Sequence, residues 1–349
     1  MTDSSLDAVF SQLSELGTSI EPMMLNFLLK DVHSEFKDLI SWQTNTGGKR
    51  IRPALTIIFA QAFGAKKNDR SVLAAASGIE LIHTYSLILD DIIDRGDLRR
   101  GKSTTRAKYG DEFAILSAII HREAVYEAAK ATGKYLNPSI AIYSETIRRL
   151  TEGERLDILF EQKQERMHEY FQSHRYTEVS LNEYRKMIVG KTASLIAAAC
   201  KLGAIVGGAS LEEQACAEKY GWSVGVAFQL ADDYLDVFAK SDQFGKAVYK
   251  DIIEQKLGNF VVIQAMKLLN QGEANLLKKY LIDPQLSDED RIKKCLPLIE
   301  ESHAQQTVMT EAKKWAKKAQ MVLKTIEFKN EESHKVLDKI AEFIVKRAY

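Results

Sequence analysis

The sequence predicts an all-α protein, on three observations. Only five of its 349 residues are proline. β-Branched alternation is scarce. Long segments carry apolar residues three and four apart, the spacing that lines one face of a helix. At 45% hydrophobic content the chain can bury a large core, in one big domain or two. It has no linker rich in Gly, Pro or Ser and no short-period repeat. One helical domain over 1–349 is the simplest partition, with 251–349 as a candidate C-terminal helical subdomain.

Taken in order, residues 4–45 read as one or two helices, with Pro22 near the first turn of the longer one. Gly47-Gly48 breaks that run, and Pro53 starts the next helix, to about Phe63. A helix from about Asn68 ends in an aspartate cluster at Asp90. A loop from Gly96 to Thr105 leads to a helix from about Asp111 to Thr132, and Asn137-Pro138 opens the next. Residues 162–178, rich in Gln, Glu, Arg and His, read as a solvated extension or loop. Helices follow at about 180–206 and 211–240, then a polar loop to Lys250. Shorter amphipathic helices fill 251–349, with a break at Asp283-Pro284.

Composition excludes several roles. Net charge is zero, with 48 basic and 48 acidic residues, so no global field favours nucleic acid or an anionic membrane. Cys200, Cys216 and Cys295 are far apart and lack metal-ligand spacing, which fits small core residues in a reducing cytosol and a cytoplasmic protein. The acidic, polar N-terminus is no signal or transit peptide. No run of about 18 uncharged apolar residues is present, so no membrane span is expected.

The chemistry concentrates in two aspartate clusters. Asp90 and Asp94 stand four apart, so a helix projects them from one face, a turn apart. Alone, Asp90-Asp91-Ile-Ile-Asp94 reads equally well as a solvated helix end. Asp232-Asp233-Tyr-Leu-Asp236 repeats it about 140 residues later, again behind an apolar run. Two such clusters facing each other across a cavity would hold several Mg2+ ions and a diphosphate, because Mg2+ prefers one or two carboxylates plus phosphate oxygens.

Cations gather at chain breaks. Lys49, Arg50 and Arg52 lie between Gly-Gly and Pro53, a turn suited to phosphate; the P-loop spacing is absent. His83 lies two turns before Asp90, and Arg99 and Arg100 follow the first cluster. Lys191 and Thr192 interrupt an apolar helix, as does Gln229, while Lys246 and Lys256 lie beyond the second cluster. The set suits two diphosphates, one held through metal and one directly. No Ser or Cys nucleophile with an adjacent base is evident, which points to ionisation of a metal-held diphosphate leaving group.

These motifs resemble the trans-isoprenyl diphosphate synthases, the polyprenyl synthetases. Gly47-Gly48-Lys49-Arg50-Ile51-Arg52-Pro53, Asp90 to Gly101, Lys191-Thr192-Ala193 and Gly225 to Asp236 match the family's pieces in order and spacing. The resemblance implies an all-helical bundle around a deep central cavity, a homodimer, and head-to-tail condensation of isopentenyl diphosphate with an allylic diphosphate (dimethylallyl, geranyl or farnesyl). It implies Asp90, Asp94 and Asp232 as Mg2+ ligands, with Asp91 and Asp236 completing the clusters. Lys49, Arg52, His83 and Arg100 would bind isopentenyl diphosphate. Arg99, Lys191, Thr192, Gln229, Lys246 and Lys256 would bind the allylic diphosphate.

The chain departs from the family pattern in two places. Ala118-Ile119 stands where the family often has Gly-Asp. Beyond the second motif, Tyr249, Gln255, Gly258 and Phe260 replace Gly, Gly, Thr and Pro, so a different loop geometry is expected.

Product length should depend on what blocks the growing tail. Tyr85 lies five residues before Asp90, a rise of about 7.5 Å, and the small Ser86 lies four before. One aromatic, with no insertion in the motif, resembles geranylgeranyl diphosphate synthases, particularly archaeal ones; farnesyl and longer-chain products are the alternatives. Competing functions are a terpene cyclase, a head-to-head condensing enzyme, and an inactive regulatory subunit. The cations at Lys49, Arg52 and His83 argue against a cyclase, which needs one diphosphate only.

Overall fold

The computed structural model describes residues 4–163, 168–239 and 248–346. Helices dominate the described residues: α1 (Ser4–Thr18), α2 (Glu21–Leu28), α3 (Lys37–Asn45), α4 (Ile51–Ala62) and α5 (Arg70–Ile93) come first. A two-stranded hairpin, β1 (Leu98–Arg99) and β2 (Lys102–Ser103), interrupts them. Then come α6 (Thr105–Tyr109), α7 (Asp111–Ala131), α8 (Leu136–Phe160), α9 (Glu169–His174) and α10 (Leu181–Ile188). A π-helical turn, Val189–Ala193, joins α10 to α11 (Ser194–Gly207) and precedes α12 (Leu211–Phe238). The series ends with α13 (Lys250–Ile253), α14 (Phe260–Leu268), α15 (Gln271–Ile282), α16 (Asp288–Glu301), α17 (Ala304–Leu323) and α18 (Glu331–Lys346).

Several expectations shift. Pro22 opens the short α2, where its missing N–H costs nothing, not a longer helix. The Gly96–Thr105 loop contains the hairpin, and α6 follows it. The polar 162–178 stretch includes α9, pinned by the buried Phe171. The helix expected over 180–206 is broken by the π turn, a feature with no compositional signature. Two helical stretches, Arg70–Ile93 and Leu181–Gly207, are apolar and long enough to cross a membrane, but 72% and 78% of their apolar windows are buried within the protein.

The chain gathers into two compact units, each built from separated pieces. The first comprises Met1–Arg148, Ser194–Trp222 and Ala319–Phe343. Its centre is α4, where Leu55, Ile57 and Phe59 are fully buried. On α11, a Cβ at Gly203 would sit 2.3 Å from the Thr56 carbonyl and one at Gly207 2.7 Å from that of Ala60. Those glycines let α11 lie almost backbone to backbone on α4. Asp69 caps α5 by accepting from the Ser71 N–H, and the buried Tyr143 hydroxyl on α8 donates to the Ala75 carbonyl, 2.9 Å. The second unit comprises Arg149–Ala193, Ser223–Lys318 and Ile344–Tyr349. Its later helices carry strong caps: Asn270 forms a capping box with Glu273, and Ser287 accepts from the Asp290 N–H.

Candidate active site

In the first unit the Gly47-Gly48 break does what a helix start between glycines permits. Gly47 sits at φ +82° and Arg50, the residue before α4, at φ +46°. Arg50 is consequently turned inward. It ion-pairs with Glu80 on α5 at 2.5 Å and with Glu21 at 3.1 Å, and donates to the Thr44 carbonyl at 2.7 Å. It pins the loop to the core instead of facing an anion. Arg52, a helical residue, points elsewhere: its Nη1 lies 3.2 Å from His83 Nε2. A guanidinium only donates, so Nε2 accepts and the imidazole keeps its proton on Nδ1. Burial, then the charges of Arg52, Arg100, Arg99 and Arg50, hold the His83 pKa well below its ordinary value. Arg100 reaches the same place; a Cβ on Gly48 would meet its Nη1 at 2.4 Å. Desolvation, with Arg50 and Arg99 nearby, lowers the Arg100 pKa as well. Arg52, His83 and Arg100 are thus brought together, and Lys49 follows Gly48 in the chain.

The first aspartate cluster ends α5. Asp94 caps the helix, and its N–H donates to the Asp90 carbonyl at 2.8 Å. The β1–β2 hairpin turns Arg99 back onto this end. Its Nη2 donates to Asp90 Oδ2 at 3.0 Å, and its Nε and Nη2 approach Asp91 Oδ1 at 3.0 and 2.8 Å. Burial alone would lower the Arg99 pKa, but Asp91 and Asp90 outweigh it and raise it. Further up α5, Tyr85 is 6% exposed and burial pushes its hydroxyl up to about 12. One turn on, Ile88 packs with Ala114 and Ala118 of α7 and with Ile92. Ser86 donates to the His83 carbonyl at 2.8 Å.

In the second unit the aspartates of α12 find different partners. Asp233 is buried and accepts from Tyr184 Oη, the Phe260 N–H and Gln229 Nε2, each at 2.8 Å. Burial, then the charge of Asp251, pushes Asp233 up to about 8 against those bonds. Asp236 accepts from the Lys250 and Asp251 N–H groups, 3.0 and 3.1 Å, at the start of α13. Desolvation and Asp251 also raise its pKa. Asp232 is half-buried. Thr192 Oγ1 donates to Gln229 Oε1 at 2.6 Å, so Thr192, Gln229 and Asp233 form one chain of bonds.

The departures from the family pattern keep left-handed turns without glycine. Tyr249 sits at φ +64° and Gln255 at φ +55°, conformations costing a residue with a Cβ about 1 kcal/mol each. A side chain at Gly258 would meet Phe160 Cδ2 at 2.5 Å, which explains the missing Thr. A proline at Phe260 would lose the N–H that Asp233 accepts.

Lys191 and Lys256 converge. Lys191 Nζ lies 2.6 Å from Asp157 Oδ2 and 2.8 Å from Glu154 Oε2. Lys256 Nζ lies 3.1 Å from the same Asp157 oxygen and 3.1 Å from Glu254 Oε2. Burial would raise the Asp157 pKa, yet the two ammonium groups hold it well below the usual carboxylate range. Sequence reasoning gave Asp157 and Glu154 no role. The available signal was the Gly153-x-x-x-Asp157 spacing, which puts a glycine and a carboxylate one turn apart on one helix face. Lys246 lies outside the described residues.

The profile of the family described as polyprenyl synthetase matches residues 33–299. The chain belongs to the polyprenyl synthetase family. It is 33% identical over 305 residues to a short chain isoprenyl diphosphate synthase of Methanothermobacter thermautotrophicus, covering 87% of each chain. It is 31% identical to a geranylgeranyl diphosphate synthase of Saccharolobus solfataricus, over 93% of this chain and 95% of that one. The solved geranylgeranyl pyrophosphate synthetase of Pyrococcus horikoshii superposes with a TM-score of 0.83 at 25% identity, covering 97% and 98%. This polyprenyl synthetase therefore has the all-α isoprenoid synthase fold and is a trans-prenyltransferase acting on isoprenoid diphosphates.

The family implies a divalent metal, and the donor chemistry fits one. The aspartate clusters offer only carboxylate oxygens, the ligand type of a hard ion. Among the described residues no three ligating side chains form a ready cage. An ion that completes its shell with water and substrate phosphate needs none. Asp90 and Asp91 both accept from Arg99, and Asp233 and Asp236 accept from other protein donors, so an ion at either cluster would compete with those bonds.

Proposed function

We propose that this prenyltransferase adds isopentenyl diphosphate head-to-tail to an allylic diphosphate and makes chiefly geranylgeranyl diphosphate. The observation that carries the two-substrate reading is the cationic group of Arg52, neutral His83 and Arg100, a socket for a diphosphate that needs no metal. His83, with Nε2 bonded to Arg52, would donate its Nδ1–H to a phosphate oxygen. Lys191, Lys256, Thr192 and Gln229 would take the allylic diphosphate, with Lys246 and Arg99. Asp90, Asp94 and Asp232 would hold Mg2+, which would supply charge neutralisation of the departing diphosphate. The released pyrophosphate accepts the proton, so no protein base is required. The reading requires both carboxylate sets to serve one diphosphate. A cytoplasmic homodimer is part of the same proposal.

Tyr85 is the proposed floor for the tail, since it is buried on the α5 turn before Ile88. The geranylgeranyl assignment is supported by the name of the Saccharolobus relative. Purified protein with Mg2+, isopentenyl diphosphate and each of dimethylallyl, geranyl and farnesyl diphosphate should yield a twenty-carbon product. Diphosphate loss without elongation, or inertness with every primer, contradicts the proposal. Tyr85→Ala should lengthen the products seen by chromatography; an unchanged distribution removes Tyr85 as the floor.

A further inference from the structure

We infer that Asp157 is a positioning residue that locks Lys191 and Lys256 into one paired cation for the allylic diphosphate. The inference rests on reading those two lysines as ligands of that diphosphate.

Two backbone arrangements bring the three side chains together. The first is a crossing without side chains. A Cβ on Gly153 of α8 would lie 2.1 Å from the Lys191 nitrogen, and one on Gly190 would lie 2.7 Å from the Arg149 carbonyl. Helix α8 and the π turn therefore touch backbone to backbone, and Asp157, one turn beyond Gly153, faces the Lys191 side chain. The π turn carries one extra residue, which re-aims Lys191 relative to a regular helix.

The second arrangement is strand-like. The Leu257 N–H donates to the Phe160 carbonyl at 3.1 Å, and the Gln162 N–H donates to that of Gln255 at 3.1 Å. Glu161 and Lys256 form an antiparallel bridge. The end of α8 thus runs alongside residues 255–257 and delivers Lys256 to Asp157 from the other side.

One oxygen, Asp157 Oδ2, accepts from both ammonium groups, 2.6 and 3.1 Å. The lysines are 65 positions apart in sequence, and this carboxylate is a bond they share. Asp157 is 7% exposed and Lys256 also 7%, while the Lys191 side chain is 27% exposed. A buried carboxylate between two cations fixes their spacing. Glu154 on Lys191 and Glu254 on Lys256 restrain the outer flanks of the pair. Without Asp157 the ammonium groups would repel each other and separate.

The test varies each substrate separately in steady-state kinetics with Mg2+, isopentenyl diphosphate and farnesyl diphosphate. Asp157→Asn should raise KM for farnesyl diphosphate at least tenfold and leave KM for isopentenyl diphosphate within twofold. In a Lys191→Ala/Lys256→Ala background the same substitution should change the farnesyl diphosphate KM by less than twofold, since nothing remains to be positioned. A generally damaged fold would move both KM values and add to the lysine changes; either result overturns the inference. Should the Asn variant fail to fold, Asp157→Glu keeps the charge and carries the same split between substrates. Calorimetric binding of inorganic pyrophosphate separates this inference from the reading beneath it. If the wild type does not elongate yet Asp157→Asn weakens pyrophosphate binding tenfold, the inference stands while the proposed function falls. If Asp157→Asn binds pyrophosphate as the wild type does, the inference falls.

Discussion

The two aspartate motifs share a spacing and little else. At Asp90-Asp91-Ile-Ile-Asp94 the helix is ending, and the middle aspartate is neutralised by a cation, Arg99, folded back by a short hairpin. At Asp232-Asp233-Tyr-Leu-Asp236 the helix is also near its end, but among the described residues the middle aspartate meets neutral donors: a tyrosine hydroxyl, a glutamine amide and a backbone N–H. Lys191 and Lys256 of that unit are engaged by Asp157 instead. A repeated spacing therefore fixes which face the carboxylates share, while their protonation and rigidity depend on what other elements bring to that face. The first motif is held by charge and the second by hydrogen bonds at desolvated groups.

The largest effect that sharpens this contrast is on turnover. Asp90→Ala and Asp232→Ala should each lower kcat by about a thousandfold, the scale of losing several kcal/mol of charge stabilisation. A tenfold loss at either position in steady-state assays would mean that motif is not a metal carrier. Next comes stability. Asp233→Ala strands three buried donors, each worth about 1–3 kcal/mol, and should cost at least about 3 kcal/mol in urea unfolding. Asp233→Asn should cost much less, because an amide oxygen still accepts. If the two variants unfold alike, hydrogen bonding does not hold the second motif.

A third test uses acid on the first unit. His121 on α7 is fully buried, its Nδ1 2.8 Å from the Ser117 carbonyl and its Nε2 3.3 Å from Thr44 Oγ1. Burial lowers its pKa to about 4, while the unfolded chain takes up that proton near pH 6.5. Between those values the unfolded state binds more protons. Stability should fall as pH drops from 6.5 to 4, by up to about 3 kcal/mol, and His121 should add no further loss below that. His121→Gln should flatten this part of the pH–stability curve; an unchanged slope would remove His121 as the cause. The smallest effect concerns the loop beside the second motif. Gln255 holds φ +55°, and its buried side-chain Oε1 has no hydrogen-bond partner among the described residues. Gln255→Gly should stabilise by under about 1 kcal/mol, measured by thermal unfolding; destabilisation would show that the side chain's packing outweighs its backbone cost.

Much of this molecule is written in local sequence. Gly47-Gly48, Asn137-Pro138 and Asp283-Pro284 punctuate the helices where glycine and proline chemistry says they must, and the four-residue aspartate spacing places side chains on one face without further information. What escaped were features set by distant elements. Arg50 has the same composition signal as Arg52, yet one is buried on Glu80 and the other lies beside His83, because the left-handed turn at Arg50 rotates it inward. Asp157 is one acidic residue among many until the Gly153–Gly190 crossing brings it to Lys191. The hairpin that returns Arg99 to Asp91 spans six residues and has no periodicity to detect.

The proposed function requires the two carboxylate sets to act on one diphosphate, and kcat of the Asp90→Ala/Asp232→Ala double variant tests it most directly. Groups that work as one unit are non-additive, so the double variant should be within about tenfold of the slower single variant. If the two losses multiply, to about a millionfold, the motifs act independently and the account is wrong.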